Sequence, residues 1–363
     1  MNEKEIPCGN PLFHCVGGTP HEIEHLPSRV QSVVTHSPPN QSKMAAIPLP
    51  ATAILAFQSK NSRAANDASN KLREAILGTI LTDTTHDADP TYGAAWQALR
   101  EAWRTTLNAI GEQHGLPSAT PFTVSQKGGR GYNYDYLVTF TPKKTIAQLR
   151  EDLRSPASVT TLPAPLEVRV EFKYGGTSVT SIPEFFNPAA DKPFHATTYA
   201  RFWYHGYLDR FLEAVGISPA EKPTEAEYLA HIHTSSGKGS AFFAKLIPLR
   251  KAGRLTKASD AIVNESITAF LEAHKDTTDL AAITAEFQRS QTGKVFVFYE
   301  NGAFHIDRIA PAALTCSSVI GVRNGNVLCI QSADPLTEYR MLLRWKNDKG
   351  VLYPAWQISM RRG

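Results

Sequence analysis

Glu171 and Lys173 lie two residues apart in LEVRVEFKYGG, which runs from Leu166 to Gly176. Read with a period of two, Leu166, Val168, Val170, Phe172 and Tyr174 share one face. Glu167, Arg169, Glu171 and Lys173 share the other. A half-exposed antiparallel strand alternates in this way, so a solvated face with cross-strand ion pairs is the simplest account. A second acid gives that face another use. In YNYDYLVTF (Tyr132 to Phe140), Tyr134, Tyr136, Val138 and Phe140 form one face and Asp135 lies on the opposite one, with Asn133, Leu137 and Thr139. An acid among aromatic and β-branched residues is poor strand material unless it is exposed or employed. If the two strands pair, Asp135 and Glu171 lie side by side, with Lys173 one step further on. Two carboxylates at one site repel, and a divalent cation relieves that repulsion. Mg²⁺ suits such a site because it takes oxygen ligands and keeps several waters.

Other residues with chemical potential distribute unevenly. Between Glu227 and Asp260 no acid occurs, while Lys238, Lys245, Arg250, Lys251, Arg254 and Lys257 all do. Closer to Asp135, Lys127 and Arg130 sit in the glycine-rich loop QKGGRG, where backbone can approach phosphate closely. Near the start, His21-Glu22-Ile23-Glu24-His25 matches the H-E-x-x-H zinc motif. That motif needs a continuous helix to bring both histidines onto one face. Pro20 and Pro27 bracket it and stop such a helix. HTSSGKGS resembles the end of a phosphate-binding loop, but Ile232 stands where its first glycine is required. Glu101 falls away from the apolar stripe of its own helix and reads as solvated.

The elements that must carry these residues follow from periodicity. The first 49 residues mix Pro, His, Ser, Gly and Asn without a sustained period and read as a disordered leader. A helical pattern covers about Ala53 to Leu81. Trp96, Leu99, Trp103, Leu107 and Ile110 form a stripe on the next helix, which Gly115 and Pro117 end. Two strands around the basic loop, the short helix TIAQLREDLR, the strand ending in Tyr174, and an aromatic helix from about Ala196 to Val215 follow. More helices are expected between Glu225 and Phe287. The last segment holds about six short strands around Asn-Gly turns, a meander-like unit.

Composition bounds the class. The 363 residues, 42% hydrophobic and 20% charged, describe a globular chain of one large or two ordinary domains. No apolar run is long enough to span a bilayer, and MNEKEIPCGN has no secretory pattern. Cys8, Cys15, Cys316 and Cys329 form no C-x-x-C pair, which fits a reducing compartment, cytoplasm or nucleus. The net charge of +4 is mild, so its distribution matters more than its sum.

From about Tyr92 to Val215 the order of these pieces resembles the PD-(D/E)xK, restriction-endonuclease-like nuclease superfamily. The matching pieces are a helix, the strand of Asp135, the apolar strand ending in Glu171-Phe172-Lys173, and a further helix. The resemblance implies an α+β fold with a mixed sheet flanked by helices, spanning 50–290 with a helical insertion. Residues 291–363 would form an antiparallel β unit packed on or completing that core. It further implies Mg²⁺-dependent hydrolysis of phosphodiester bonds in DNA, expected to be duplex, with Mn²⁺ as a substitute. Asp135, Glu171 and the Phe172 carbonyl would hold the metal, and Lys173 would assist the attacking water. Lys127, Arg130, Lys238, Lys245, Arg250, Lys251, Arg254 and Lys257 would meet the DNA. Two other readings stand beside it: a DNA-binding protein of this fold without catalysis, and a zinc peptidase using His21, Glu22 and His25.

Overall fold

One apolar helix stripe, on the helix of Trp96 to Ile110, and one continuous apolar strand, KVFVFYE, organise the core of the first sheet. The structure, a computed structural model, describes residues 50–58, 63–128, 132–144, 146–155, 161, 164–232, 240–251, 257–348 and 351–363. Among these it is a mixed α+β fold with ten α-helices and two sheets. The first half contributes α1 (Pro50–Gln58), α2 (Arg63–Thr79), α3 (Gly93–Gln113), β1 (Phe122–Gln126), β2 (Tyr136–Phe140), α4 (Ile146–Arg154) and β3 (Leu166–Tyr174). A helical stretch follows: α5 (Tyr199–Gly206), α6 (Leu208–Ala214), α7 (Glu225–His231), α8 (Ala241–Lys251), α9 (Lys257–His274) and α10 (Leu280–Gln291). The remaining strands are β4 (Lys294–Glu300), β5 (Ala303–Asp307), β6 (Cys316–Arg323), β7 (Val327–Ser332), β8 (Thr337–Asp348) and β9 (Val351–Arg362).

The first sheet has the order β1-β2-β3-β4-β5. All its pairs are antiparallel except β3 with β4, which run parallel. A parallel neighbour requires a long crossover, and here α5 to α10 supply it. β4 reads KVFVFYE, and six of its seven residues are buried. That is the signature of a strand covered on both faces. Val295, Val297 and Tyr299 join Tyr136, Val138, Phe140, Val168, Val170 and Phe172 in one core, closed by the expected α3 stripe of Trp96, Leu99, Trp103, Leu107 and Ile110. Gly111 lets α3 lie close to the sheet: a Cβ there would stand 2.8 Å from the Phe140 ring. Phe296 and Phe298 face the opposite core, built from the crossover helices and the second sheet.

The second sheet is an antiparallel meander in the order β6-β7-β8-β9. The six expected C-terminal strands therefore divide. β4 and β5 complete the mixed sheet, and only the last four form the separate unit. Two of the three expected Asn-to-Gly turns are present, with positive φ at Asn301 and Gly302 and at Asn324 and Gly325; the third, Asn347 to Gly350, lies partly outside the described residues. The single helix expected from Ala53 to Leu81 is two, α1 and α2. The aromatic helix is also broken, at Tyr207, into α5 and α6. Among the described residues no helix is long and apolar enough to cross a membrane. The expected leader, 1–49, lies outside the described residues.

Candidate active site

β3 changes character along its length. Glu167 and Arg169 are exposed, while two residues further on, on the same face, Glu171 is only 8% exposed. The two ends differ in what packs on that face: Glu171 stands opposite Phe296 of β4 and Lys173 opposite Phe298, and both rings belong to the core built by the crossover helices and the second sheet. The solvated-face account thus describes the first half of the strand and fails for Glu171.

Asp135 sits just ahead of β2, which is shorter than expected. Its N–H donates to the Val170 carbonyl at 3.0 Å, although Val170 already stands opposite Tyr136. Two residues facing one is the arrangement of a β-bulge, which re-aims side chains. Asp135 Oδ2 accepts the Phe172 N–H at 2.8 Å. The N–H and carbonyl of one strand residue point to the same side, so the Phe172 carbonyl also faces the strand that carries Asp135. The bulge has a second effect. Tyr134, expected on the buried face of Tyr136, instead lines the same cleft as Asp135.

Glu171 is the centre of charge. Lys173 Nζ lies 2.5 Å from its Oε1, and Lys294 Nζ lies 2.5 Å from its Oε2. Burial works against the Glu171 charge, but the two ammoniums prevail and hold its pKa below the ordinary carboxylate value. The side chain of Lys294 is 2% exposed and that of Lys173 31%. Burial lowers the Lys294 pKa in spite of Glu171. For Lys173 the adjacent carboxylate outweighs burial and the pKa is raised. Asp135 has no such ion pair at hydrogen-bond distance among the described residues. Burial and the Glu171 charge raise its pKa, opposed by the Phe172 N–H.

A third carboxylate feels the charges of the pair, although it does not line their cleft. Glu74, on α2, is pushed up to about 7 by burial and by the Asp135 charge, with a smaller push from Glu171. α2 is held there because the Tyr136 hydroxyl donates to the Glu74 carbonyl at 2.7 Å. Neither Glu74 nor Lys294 stood out in the sequence. Lys294 did carry a signal, as a charge at the head of a continuous apolar strand. Glu101, which reads as solvated in the sequence, is exposed and pairs with Arg104 at 3.6 Å.

Asp135, Glu171, Lys173 and Lys294 open into a cleft of about 310 Å³. One wall is the β1–β2 hairpin, whose ladder continues past the strands through Lys127 N–H to the Asp135 carbonyl (2.7 Å) and Gly128 N–H to the Tyr134 carbonyl (3.1 Å). The other wall is the segment Glu184 to Asn187, stitched to β9 by Phe185 N–H to Ile358 carbonyl at 3.0 Å and Ile358 N–H to Phe186 carbonyl at 2.9 Å. Lys346 of β8 supports it, 3.7 Å from Glu184 and hydrogen-bonded to Asn187. The cleft thus lies at the seam of the two sheets.

The other expected contacts are scattered. Lys127 stands over the Tyr132 ring at the hairpin. Lys245 pairs with Glu221 at 3.0 Å, and Lys257 is exposed at the start of α9; neither lines the cleft. Arg250 and Lys251 end α8, where only their backbone is described. Arg130, Lys238, Arg254 and the His21, Glu22 and His25 motif lie outside the described residues.

For a divalent cation the donor set fits in kind: two carboxylates and a carbonyl, all hard oxygen. Among the described residues no group of three or more His, Cys, Asp or Glu side chains is placed to hold a metal ion. An ion here would therefore rest on Asp135, Glu171, the Phe172 carbonyl and waters. Comparison with known proteins adds nothing to this geometry: no family model, curated protein or solved structure matches the chain.

Proposed function

We propose that the cleft hydrolyses phosphodiester bonds of nucleic acid with a divalent cation, Mg²⁺ or Mn²⁺ in its place, as a divergent member of the restriction-endonuclease-like superfamily. One observation carries this reading. Asp135 is hydrogen-bonded to the backbone between Glu171 and Lys173, at the floor of a cleft that all three side chains line. The mixed sheet, with α3 before it and a helical crossover between its parallel strands, agrees with the fold that the resemblance implies. Asp135, Glu171 and the Phe172 carbonyl hold the ion. Bound there, the cation supplies Lewis acidity toward the phosphodiester and eases deprotonation of a water. The Phe172 N–H fixes the orientation of Asp135. Lys294 keeps Glu171 ionised inside the protein. Lys173, part exposed, presents its charge to the oxygens that become more negative as the phosphorus is attacked.

The test compares Asp135→Asn, Glu171→Gln and Lys173→Ala, by calorimetric Mg²⁺ titration beside cleavage of labelled oligonucleotides. The first two lose both metal affinity and cleavage. Lys173→Ala binds metal at least as tightly as the wild type and loses turnover, since its role is in the chemical step. Wild-type cleavage by Glu171→Gln would overturn the reading.

A second reading rests on Lys294. With both oxygens of Glu171 already matched by ammoniums, the site is also that of a nucleic-acid-binding protein of this fold that does not cleave. Wild-type protein that binds oligonucleotides, yet neither binds Mg²⁺ nor cuts, would select it.

A further inference from the structure

Large aromatic side chains that lie together outside both cores, at the lip of a cleft, mark a candidate contact surface. Tyr132 and Tyr134 are such a pair. Tyr132 is 48% exposed, and neither ring joins the packing of the two cores. They meet edge to face, with centroids 5.5 Å apart and planes at 66°. Both line the cleft that holds Asp135, Glu171 and Lys173. Each also has a cation at its face: Lys127 Nζ is 5.5 Å from the Tyr132 centroid, and the Arg169 guanidinium 6.0 Å from that of Tyr134.

We infer that Tyr132 and Tyr134 form a stacking platform for an unpaired nucleobase, so that the site takes single-stranded nucleic acid or unpaired ends in preference to intact duplex. The inference rests on the nucleic-acid reading of the cleft and names its substrate class.

Three features support it. Exposed aromatic faces interleaved with cations are the combination by which proteins hold single strands, stacking the bases while the cations meet the phosphates. Inside an intact duplex both faces of a base are already stacked, so the rings would have nothing to offer there. The volume is also on the scale of a small-ligand pocket rather than a duplex groove. Finally, Tyr134 adjoins Asp135 in the chain. A base stacked on it brings the neighbouring phosphate toward the carboxylates and Lys173. On this inference the substrate is single-stranded, where the resemblance implies duplex DNA.

The experiment measures fluorescence anisotropy of a labelled oligo-dT and of a blunt hairpin duplex at one salt concentration, with EDTA present so that nothing is cut. The proteins are the wild type, the double variant Tyr132→Ala/Tyr134→Ala, and the double variant Tyr132→Phe/Tyr134→Phe. The wild type is expected to bind oligo-dT at least tenfold more tightly than duplex. The alanine variant loses roughly 10- to 100-fold on oligo-dT, from the known cost of removing stacking rings, and under about twofold on duplex. The phenylalanine variant stays within about twofold of wild type on both. Equal or tighter duplex binding by the wild type overturns the inference. So does an alanine variant that binds oligo-dT normally while its melting curve matches wild type, or a phenylalanine variant as weak as the alanine one. Cleavage is scored separately with Mg²⁺. Absence of cutting with the single-strand preference intact sinks the hydrolysis and leaves the platform, whereas cutting without that preference sinks the platform alone.

Discussion

Glu74 gives the site a pH-dependent signature that the proposed chemistry does not need to be running to reveal. Its carboxyl is pushed up to about 7 from 4.5, first by burial and then by the Asp135 charge. Below about pH 4.5 the group is protonated both folded and unfolded. As pH rises toward 7, the unfolded chain releases the proton and the folded protein keeps it. The folded state then binds more protons than the unfolded one, so stability falls with rising pH across that window and levels off above it. The window spans about 2.5 pH units, and at 1.36 kcal/mol for each the loss is at most about 3 kcal/mol. Glu74→Gln keeps the shape and removes the charge, so the variant lacks this loss. Urea unfolding of both proteins from pH 4 to 8.5, without divalent ions, should show the variant gaining on the wild type by about 2–3 kcal/mol over the window. Glu171 does not confuse the comparison. Its pKa is lowered, so its stabilisation is lost as pH falls below the carboxylate range. A stability difference between wild type and variant that stays constant from pH 4.5 to 7 would refute the claim that Glu74 is crowded by Asp135.

Two further outcomes test the charges around the cleft. Lys294→Met removes the fixed counter-charge of Glu171 and leaves more of the carboxylate's charge to attract a cation, so calorimetric Mg²⁺ affinity should rise several-fold; unchanged affinity would count against Glu171 as a ligand. Lys127→Ala and Arg169→Ala should each flatten the log–log salt dependence of single-strand binding by about 0.7, while Lys245→Ala, whose charge is already matched by Glu221, should leave the slope unchanged.

Local periodicity reaches only as far as local causes. The α3 stripe, from Trp96 to Ile110, and the alternation of Val168 and Val170 with Glu167 and Arg169 were legible because one face of each element decides its burial. Asp135 with Glu171 was legible too, since the two strands are neighbours in the chain. The remainder of the cluster arises at long range. Lys294 reaches Glu171 across 123 residues, through a parallel pairing that no repeat announces. Glu74 arrives on a helix docked by the Tyr136 hydroxyl. The period of two assigns Tyr134 to the wrong face because a bulge at Asp135 interrupts it. The division of the C-terminal strands had a readable cause. KVFVFYE is a continuous apolar run, as a strand buried on both faces requires, unlike the alternating strands that follow it.

The unequal burial of the two lysines decides what each can do for Glu171. Both ammoniums stand 2.5 Å from the carboxylate, so distance does not distinguish them. Exposure does. Lys294, 2% exposed, has no solvent to turn into, and leaving Glu171 would strand a buried charge, a loss of about 3–5 kcal/mol. Lys173 is 31% exposed and opens onto the cleft, where water or a phosphate oxygen can replace the carboxylate as its partner. In the proposed reading Lys294 is therefore the fixed counter-charge that keeps Glu171 ionised without a metal. Lys173 is the one that could move, leaving Glu171 available to a cation and carrying its own charge to the substrate. On that reading the same lysine would close the site when it is empty and serve the chemistry when it is filled.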